Sequence, residues 1–467
     1  MKIKALVPIA IVYPQNGRIQ SIPCQGIVEV SSELGENLIH DEVAEPYVLI
    51  EPRGTKEIIS DEIVDISEYE SANVNVPTED FESLIERDSN TTQYTIPDYV
   101  TKIGDYAFAG FNTLESVTIP SGVTSIGERA FYGCSSLTSM TIPSGITSIG
   151  ERAFEGCSAL TSINIPSGVT LIEQYTFYGC SSLTSMTIPS GVTSIGDSAF
   201  NGCSLLTSIN IPSGVTSIGI GAFHGCSALT SMTIPSGVTS IGDSAFNGCS
   251  LLTSINIPSG VTSIWGRTFY GCSALTSMAI PSGVTSIEER AFYGCSALTN
   301  ITIPSSVTSI GWNVFEGCSA LTNITIPSSV TSIGGRAFEG CSALTSINIP
   351  SGVTLIEWYT FHGCSALTSI TIPSSMTSIG QRVFEGCSSL TSITIPSSVA
   401  SIGGSAFYGC SSLTSITLQG TTPPSLGSDA FKDTNNNLRI YVPSTSVETY
   451  QIADGWSNYA SKIQATT

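Results

Sequence analysis

Residues Phe200–Ile218 read FNGCSLLTSINIPSGVTSI, and residues Phe246–Ile264 repeat the same nineteen letters 46 positions later. Half of that offset, 23 residues, is the period of most of the chain. A fixed period of this length predicts a solenoid, in which each coil contacts only its neighbours. Duplication of a two-coil block explains the verbatim copy, because the inserted coils meet the same neighbours as the originals.

A phenylalanine and a cysteine mark the period. Phe131 lies three residues before the first cysteine of the array, Phe108 adds a coil on the N-terminal side, and Phe431 ends the series one residue out of register. These positions predict fifteen coils. The cysteines recur every 23 residues at thirteen positions: Cys134, Cys157, Cys180, Cys203, Cys226, Cys249, Cys272, Cys295, Cys318, Cys341, Cys364, Cys387 and Cys410.

Each coil has one strand pattern and three inward-facing sides. The hexamer LTSINI (Leu160–Ile165) fits the L-x-x-L-x-L pattern of leucine-rich repeats. Ile163 and Ile165 alternate with polar residues, which predicts a strand with one apolar face, and Pro166 ends it because proline has no N–H donor. The other inward sides come from Val169 and Ile172, and from Phe177. The predicted fold is a leucine-rich-repeat solenoid with parallel strands and irregular or short helical returns.

Two glycine positions of the coil have different requirements. The glycine of F-x-G recurs from Gly133 to Gly409 and gives way only at Asp433, so we expect it to hold a positive φ that other side chains resist. The glycine of P-S-G behaves differently, because the counterpart of Gly168 in a later coil is Ser306. This second position therefore does not require glycine.

The thirteen cysteines are predicted to pack in the core as small apolar side chains. Stacked side chains point the same way, so neighbouring Cβ atoms would lie about 4.8 Å apart, whereas a relaxed disulfide needs about 3.8 Å. A single file of thiols also lacks the tetrahedral arrangement that zinc requires. We therefore predict no disulfide ladder, no metal and no cofactor.

Charge and composition exclude several kinds of partner. The net charge is −21, and residues 1–100 hold 6 Lys and Arg against 19 Asp and Glu. A nucleic-acid-binding protein needs a basic stripe, and anionic membranes attract clustered Lys and Arg, so we expect neither partner. The N-terminus begins like a secretory signal, but Pro8 interrupts the apolar run and no A-x-A-like cleavage site follows.

The N-terminal region departs from the period. We predict a small α+β anchoring module over residues 1–55. Its predicted elements are strands at Ile3–Val7, Ile27–Val30 and Tyr47–Ile50 and a helix over 33–43. Residues 56–93 are acidic and form a linker or an extra element.

The repeats occupy residues 94–418, and residues 419–467 form a last irregular repeat and a C-terminal cap. A cap is expected because the end of a solenoid would otherwise expose its core. We predict a last strand over Leu438–Val442 and helical turns within Ser446–Lys462. Two aromatic residues are expected to cover the last coil: Trp456 and Tyr459.

The consensus L-T-S-I-T-I-P-S-G-V-T-S-I-G-x-x-A-F-x-G-C-S strongly resembles the BspA-like leucine-rich repeats of bacterial and protist surface proteins. The tail I-x-V-P…Y…W…Y…K-I is similar to the terminal cap of such proteins in gut Bacteroidetes, so the resemblance covers about residues 94–462. It implies a binding role, in attachment to host matrix proteins or to other cells, without catalysis. It implies no particular binding residues, because the family has no fixed site.

The N-terminal module is similar to small modules of tailed-phage structural proteins, which share an opening M-K-[IV]-K strand and an A-E-P-type exit. Residues Met1–Lys4 and Ala44–Pro46 carry these features. The similarity implies that residues 1–55 attach the chain to a virion structural protein. A generic N-terminal cap for the solenoid is the alternative interpretation.

Variation among the coils concentrates in the segment I-G-x-x-A-F-x-G-C. Regularly spaced aromatic side chains on an exposed surface are typical of interface hot spots. The same variation would arise in a loop that needs only to be polar or large. The candidate binding surface consists of twelve residues: Tyr132, Tyr175, Tyr178, His224, Trp265, Tyr270, Tyr293, Trp312, Trp358, Tyr359, His362 and Tyr408.

The polar side of the strands is a second candidate surface, where Thr141 is followed at 23-residue intervals by Asn164 and Thr187. Solvation and cross-strand packing of threonine explain this ladder without a ligand. An ice- or crystal-binding face is a third hypothesis. It is weakened because Asn164, Asn210 and Ala279 interrupt the threonine column.

The sequence favours a non-enzymatic adhesion or recognition protein that presents a long repeat surface to a protein or glycan on a bacterial or host surface. It contains three histidines and no nucleophile elbow, P-loop or metal motif, so it predicts no catalytic site. Our first hypothesis places it on a phage virion surface, and the alternative is a BspA-like adhesin on the surface of a gut bacterium. The sequence does not predict an oligomeric state.

Overall fold

The computed structural model of the chain describes residues 91–466 and, before them, six short strands. The chain divides into two compact units, Met1–Ser89 and Asn90–Thr467. Each unit is described by itself below.

The six strands of the first unit form three antiparallel pairs. The predicted strands Ile3–Val7 and Ile27–Val30 overlap the first and fourth of them. The predicted helix over 33–43 and the predicted strand Tyr47–Ile50 lie outside the described residues. The pairs are β1 (Lys2–Ala5) with β4 (Gly26–Glu29), β2 (Ile9–Val12) with β3 (Ile19–Ile22), and β5 (Glu57–Ile59) with β6 (Glu62–Val64).

The second unit is the predicted solenoid of parallel strands. Ser162 pairs with Ser185 and Ile163 with Met186, so each strand residue lies beside its equivalent one coil later. Ile163 and Ile165 are 5% and 4% exposed and point inward, as predicted. We name this side the long-strand face.

The long-strand face contains fifteen strands in the 23-residue register, and the cap adds two more. They are Gln93–Thr95, Ser116–Thr118, Ser139–Thr141, Ser162–Asn164, Ser185–Thr187, Ser208–Asn210, Ser231–Thr233, Ser254–Asn256, Ser277–Ala279, Asn300–Thr302, Asn323–Ile324, Ser346–Asn348, Ser369–Thr371, Ser392–Ile395, Ser415–Leu418, Arg439–Val442 and Ile463–Ala465.

The second side of the coil is a parallel ladder of two-residue strands, the short-strand face. Val169 and Ile172 are buried beneath it, as predicted. One coil joins the ladder only through a bridge between Ile264 and Ile287. The strands are Lys102–Ile103, Ser125–Ile126, Ser148–Ile149, Leu171–Ile172, Ser194–Ile195, Ser217–Ile218, Ser240–Ile241, Ser286–Ile287, Ser309–Ile310, Ser332–Ile333, Leu355–Ile356, Ser378–Ile379, Ser401–Ile402 and Ser425–Leu426.

The third side of the coil, the turn side, is made of tight turns that are hydrogen-bonded from coil to coil. The amide of Phe131 donates to the carbonyl of Ala153 at 2.8 Å. The amide of Gly133 donates to the carbonyl of Glu155 at 2.7 Å. The predicted positive φ of the F-x-G glycine is confirmed: it is 69° at Gly133. All three sides of the triangular coil therefore pair with the next coil through the backbone.

The core is a set of stacked identical side chains. From Phe108 to Phe431, phenylalanine rings of successive coils lie 5.0–5.7 Å apart between centroids and nearly parallel. Burying one such side chain contributes about 1.5–3 kcal/mol. Only stacking achieves this burial, because a single coil leaves its apolar interior open at both ends.

The structure places all thirteen array cysteines in this core, fully buried, and none of them forms a disulfide. Each thiol donates a hydrogen bond of 3.1–3.3 Å to the carbonyl of the phenylalanine 26 residues earlier. Burial raises the pKa of the Cys226 thiol to about 12. The cysteine thus fills space and satisfies a carbonyl that lies inside the coil.

Hydroxyl groups add a second set of contacts between coils. The hydroxyl of Thr161 donates to the carbonyl of Thr138 at 3.2 Å, and that of Ser158 donates to the carbonyl of Ser135 at 3.3 Å. The same bond recurs between equivalent residues along much of the stack. The abundance of serine and threonine therefore has a structural cause that our sequence analysis missed.

The C-terminal cap closes the stack with helical turns. The predicted strand over Leu438–Val442 is present as Arg439–Val442, but it is not the last strand, because Ile463–Ala465 pairs beyond it. The chain folds back between these strands and so adds one more parallel strand to the face. The helical elements are a 3₁₀ turn at Ser444–Ser446, α1 at Val447–Ile452 and a 3₁₀ helix at Trp456–Lys462.

Trp456 and Tyr459 cover the last coil as predicted. Their rings lie 5.9 Å and 5.2 Å from that of Phe431, the last ring of the stack. Trp456 is fully buried, and its indole N–H donates to the carbonyl of Pro424 at 2.7 Å. Within the described residues, no helix combines the length and the apolarity needed to cross a membrane.

Candidate functional site

Charged and aromatic residues are confined to one side of the solenoid. Between residues 112 and 427, every aromatic residue and every charged residue except Glu115 lies in a turn segment equivalent to residues 173–179. The outward positions of the two strand faces hold mostly Ser, Thr and Asn instead. Chemistry that could distinguish one partner from another is therefore concentrated on the turn side.

The turn side has three outward columns, which the sequence analysis had treated as one group. In the coil that contains Ala153 and Phe154, the first column is Glu151, the second is Arg152 and the third is Glu155. The equivalent positions of the other coils continue each column. Trp312 and Trp358 lie in the first column, and Tyr175 and Tyr359 in the second. Trp265 replaces the glycine that precedes the first column. The remaining candidates lie in the third column: Tyr132, Tyr178, His224, Tyr270, Tyr293, His362 and Tyr408.

Five of the twelve candidate side chains are well exposed, from 37% to 51%: Tyr132, Tyr178, Trp265, Trp312 and Trp358. The other seven are half-buried, because they pack against equivalent side chains of adjacent coils. Tyr270 and Tyr293, for example, stack face to face with centroids 4.6 Å apart. The asparagine side chain of Asn201 lies 3.1 Å from the ring of His224 in the next coil.

The second column has a backbone feature that the sequence did not reveal. Its residues hold φ between 51° and 59° in nearly every coil although most are not glycine. All six arginines between residues 104 and 428 lie in this column. The sequence does show this column, because each of these arginines lies two residues before a phenylalanine. It does not show the positive φ, because that conformation depends on hydrogen bonds to the next coil. One such bond joins the amide of Arg152 to the carbonyl of Gln174 at 3.1 Å.

Arginines of the second column lie over tyrosines of the same column. The Cζ atom of Arg152 is 4.2 Å from the ring centroid of Tyr175, and that of Arg336 is 4.7 Å from the centroid of Tyr359. A guanidinium over an aromatic face is attracted by the ring quadrupole, by roughly 0.5–1 kcal/mol at exposed sites. These contacts hold the tyrosines in fixed positions on the surface.

The third column supplies carboxylates to the same arginines. Glu155 pairs with Arg152 at 3.2 Å, and Glu339 pairs with Arg336 at 3.5 Å. His362 lies between two carboxylates, with Nδ1 3.2 Å from Glu339 and Nε2 4.0 Å from Glu385. The hydrogen bond to Glu339 raises the pKa of His362 above its ordinary value.

The two exposed tryptophans of the first column meet over a pair of glycines. Trp312 and Trp358 belong to coils two apart, and their rings form an edge-to-face pair with centroids 6.2 Å apart. A Cβ atom on Gly334 would lie against the Trp312 ring, and one on Gly335 would lie 3.1 Å from Trp358. The glycines of the intervening coil thus leave the space in which the two rings approach each other.

The long-strand face offers a different kind of surface. A shallow groove of about 720 Å³ runs along five coils and is lined by Ser, Thr and Asn above a floor of Met and Ile. Among the described residues, no group of three His, Cys, Asp or Glu side chains is placed to hold a metal ion. The groove carries no charge and no aromatic ring.

The fold defines a leucine-rich-repeat protein. A family model described as "BspA type Leucine rich repeat region (6 copies)" matches residues 86–206, 193–322 and 308–438. The chain belongs to the BspA-type leucine-rich repeat family.

Solved structures of bacterial proteins are similar to this chain. A leucine-rich repeat protein from Bacteroides ovatus ATCC 8483 is 32% identical, with a TM-score of 0.56, and the match covers 74% of this chain and 88% of that one. A leucine rich cell surface protein from Faecalibacterium prausnitzii A2-165 is 35% identical over 70% of this chain and 88% of that one, with a TM-score of 0.45. A search of curated proteins finds no match.

Proposed function

We propose that the chain is a non-enzymatic adhesion protein of a bacterial cell surface and that its turn side contacts the partner. The observation that carries the proposal is that, between residues 112 and 427, every aromatic residue and every charged residue except Glu115 lies on that side of the stack. Aromatic and arginine side chains are the ones that dominate binding energy at interfaces.

Family membership supports the cell-surface hypothesis over the virion hypothesis. The Bacteroides ovatus relative supports a bacterial protein. BspA-like proteins are typically surface proteins of bacteria, and attachment is the role that the resemblance implies. The virion hypothesis depends on residues 1–55 and stays a prediction. A repeated rigid surface suits adhesion, because many weak contacts along one body act together.

The test compares two faces of the same stack. Beads coated with the protein are applied to intestinal epithelial cell monolayers, and adherent beads are counted. One triple variant changes the turn side (Trp312→Ala, Trp358→Ala, Tyr359→Ala), and a matched triple variant changes the long-strand face (Thr141→Ala, Thr187→Ala, Thr233→Ala). We expect the turn-side variant to lose at least about 10-fold in adhesion, as hot-spot truncations do, with little change in melting temperature.

If the turn-side variant lost adhesion and its melting temperature also fell markedly, its aromatic residues would serve packing. A loss of adhesion confined to the strand-face variant would transfer the binding role to the polar groove. Either result contradicts the proposal.

A further inference from the structure

Two groups of side chains on the turn side repeat each other at a distance of 184 residues, which is eight coils of 23 residues. Each group has an arginine, a glutamate three residues later and, in the next coil, a tyrosine followed after three residues by a second ring. We name them the first cluster (Arg152, Glu155, Tyr175, Tyr178) and the second cluster (Arg336, Glu339, Tyr359, His362).

The contacts within the two clusters match. The ion pair between arginine and glutamate measures 3.2 Å in the first cluster and 3.5 Å in the second. The guanidinium lies 4.2 Å and 4.7 Å from the tyrosine ring centroid. In the first cluster the ring centroids of Tyr175 and Tyr178 lie 5.7 Å apart. In the second cluster those of Tyr359 and His362 lie 5.3 Å apart. The structure therefore shows the same contacts of arginine, glutamate and tyrosine twice. The second cluster has two further contacts: His362 Nδ1 lies 3.2 Å from Glu339, and the guanidinium of Arg382 lies 5.5 Å from the Tyr359 ring centroid.

A buried threonine fixes the turn that carries the tyrosine in both clusters. Thr176 and Thr360 occupy the position that is alanine in most coils, and each is almost completely buried. Their hydroxyls donate to the carbonyls of Glu173 and Glu357 at 2.7 Å and 2.8 Å. The tyrosine is thus presented from a braced turn.

The two clusters share their arginine, glutamate and tyrosine, whereas the second ring and several surrounding residues differ. The coils that carry the tyrosines, 157–179 and 341–363, differ only at Gln174 against Trp358 and at Tyr178 against His362. The preceding coils, 134–156 and 318–340, differ at six positions, but the arginine and the glutamate are the same in both. No other coil of the array combines all four residues.

The chemistry of a cluster suits a neutral sugar. A paired arginine and glutamate offer hydrogen-bond donors and acceptors without net charge, and the neighbouring rings offer apolar faces. A sugar ring presents the complement, hydroxyl groups that both donate and accept and an apolar C–H face. The net charge of −21 disfavours an anionic ligand. Extended and helical peptides are commonly bound at a sheet edge or in an apolar groove, whereas each cluster is built from charged and aromatic side chains of tight turns.

We infer that the two clusters are equivalent binding sites for the same neutral sugar unit of a repeating glycan. This inference rests on the proposed function, because it assigns a partner to the turn side. Eight coils at the strand spacing of about 4.8 Å separate the sites by roughly 40 Å. One repeating glycan can then occupy both sites, and the second contact becomes intramolecular, which raises apparent affinity by about 10²–10⁴-fold.

The experiment measures binding of the full chain to immobilised intestinal mucin, whose glycans repeat along an extended polypeptide. Tyr175→Ala and Tyr359→Ala are tested singly and together. Arg152→Gln and Arg336→Gln serve as second variants of the same clusters in case a tyrosine variant is unstable. Tyr106→Ala is the matched control, because Tyr106 holds the same column at φ 57° and Arg129 lies over its ring. Arg129 pairs with the adjacent Glu128 instead of a glutamate three residues later, and the residue three after Tyr106 is Ala109, which has no ring.

Each single variant should lower the apparent affinity by at least about 10²-fold, and the double variant should abolish binding. The control should bind as the wild type does. Binding should disappear after enzymatic removal of the mucin glycans and survive removal of sialic acid alone.

Several outcomes overturn the inference. Single variants that bind like the wild type would show that the clusters do not act together, and loss of binding after removal of sialic acid would contradict a neutral ligand. Binding that survives deglycosylation would assign a protein partner. A wild type that adheres to cells but not to mucin rejects the glycan inference alone, whereas a wild type that adheres to neither also rejects the proposed function.

Discussion

Two backbone positions of the coil, four residues apart, share the left-handed region of φ but differ in the residues they accept. The F-x-G glycines of the array have φ between 68° and 76°, at or beyond the edge of the αL region open to other residues. The second turn-side column lies between 51° and 59°, inside that region, and accepts arginine, tyrosine and serine. Where Asp433 replaces the glycine, φ falls to 55°.

Replacing one F-x-G glycine should therefore be costly while replacing a P-S-G glycine should not. We expect Gly225→Ala to destabilise the fold by about 1–2 kcal/mol, the cost of a Cβ in a left-handed conformation. Gly237→Ser is the matched control, because Ser306 already occupies the equivalent position and a Cβ there makes ordinary contacts of 3.4–3.5 Å. Urea denaturation midpoints compare the two variants. Equal midpoints would show that the φ of the turn is not a constraint.

The array thiols should be unreactive while the coils remain stacked. Burial raises the pKa of Cys226 and of Cys272 to about 12, so almost no thiolate is present near pH 8. In a Cys24→Ser background, we expect thiol reagent to label the native protein very slowly and to label all thirteen array cysteines after denaturation. Rapid labelling of the native protein would mean that coils open, and absence of thiols after denaturation would mean that disulfides had formed.

At the scale of elements, the stacked phenylalanines hold adjacent coils together. Phe223 is fully buried between Phe200 and Phe246, with ring centroids 5.3 Å and 5.7 Å away. Its neighbour His224 lies on the turn side and is half-buried. The two residues are adjacent in the chain, but Phe223 belongs to the core and His224 to the surface.

Phe223→Ala should cost about 3–5 kcal/mol, because the stack cannot close around the cavity. His224→Ala should change the free energy of unfolding by less than about 0.5 kcal/mol, as surface substitutions do. Denaturation of both variants, followed by circular dichroism, measures the difference. A similar cost for both would place His224 in the core contacts and would weaken the division between core and turn side.

Periodicity in the sequence was sufficient to predict the long-strand face, the three inward sides and the glycine of positive φ, since each depends on a pattern within one coil. It did not predict the two-residue strands of the short-strand face, where irregular or short helical returns were expected. It did not predict the hydroxyl ladders or the positive φ of Arg152 and its equivalents, because these arise from carbonyl groups of the adjacent coil. The twelve candidate residues all lie on the turn side, yet their division into three columns was not predictable. That division depends on which way each turn residue points.

At the scale of the whole solenoid, stacking and recognition are assigned to different sides. Between residues 112 and 427, the outward positions of the strand faces carry mostly Ser, Thr and Asn, which repeat with little change from coil to coil. The turn side varies from coil to coil without disturbing the stack, because its side chains point outward or pair with other side chains of the turn side. This separation lets duplication copy a binding cluster, as at Tyr175 and Tyr359, while the fold is conserved.

The central claim is that the coils are interchangeable units, and the verbatim repeat allows a direct test. Deleting Cys203–Gly248 removes 46 residues and joins Gly202 to Cys249 within an unchanged local sequence. Small-angle X-ray scattering of the deletion variant and the wild type then compares their maximum dimensions. We predict a folded protein that is about 10 Å shorter, which is two coils at the strand spacing. Unfolding or aggregation of the variant, or a maximum dimension unchanged from the wild type, would contradict the claim.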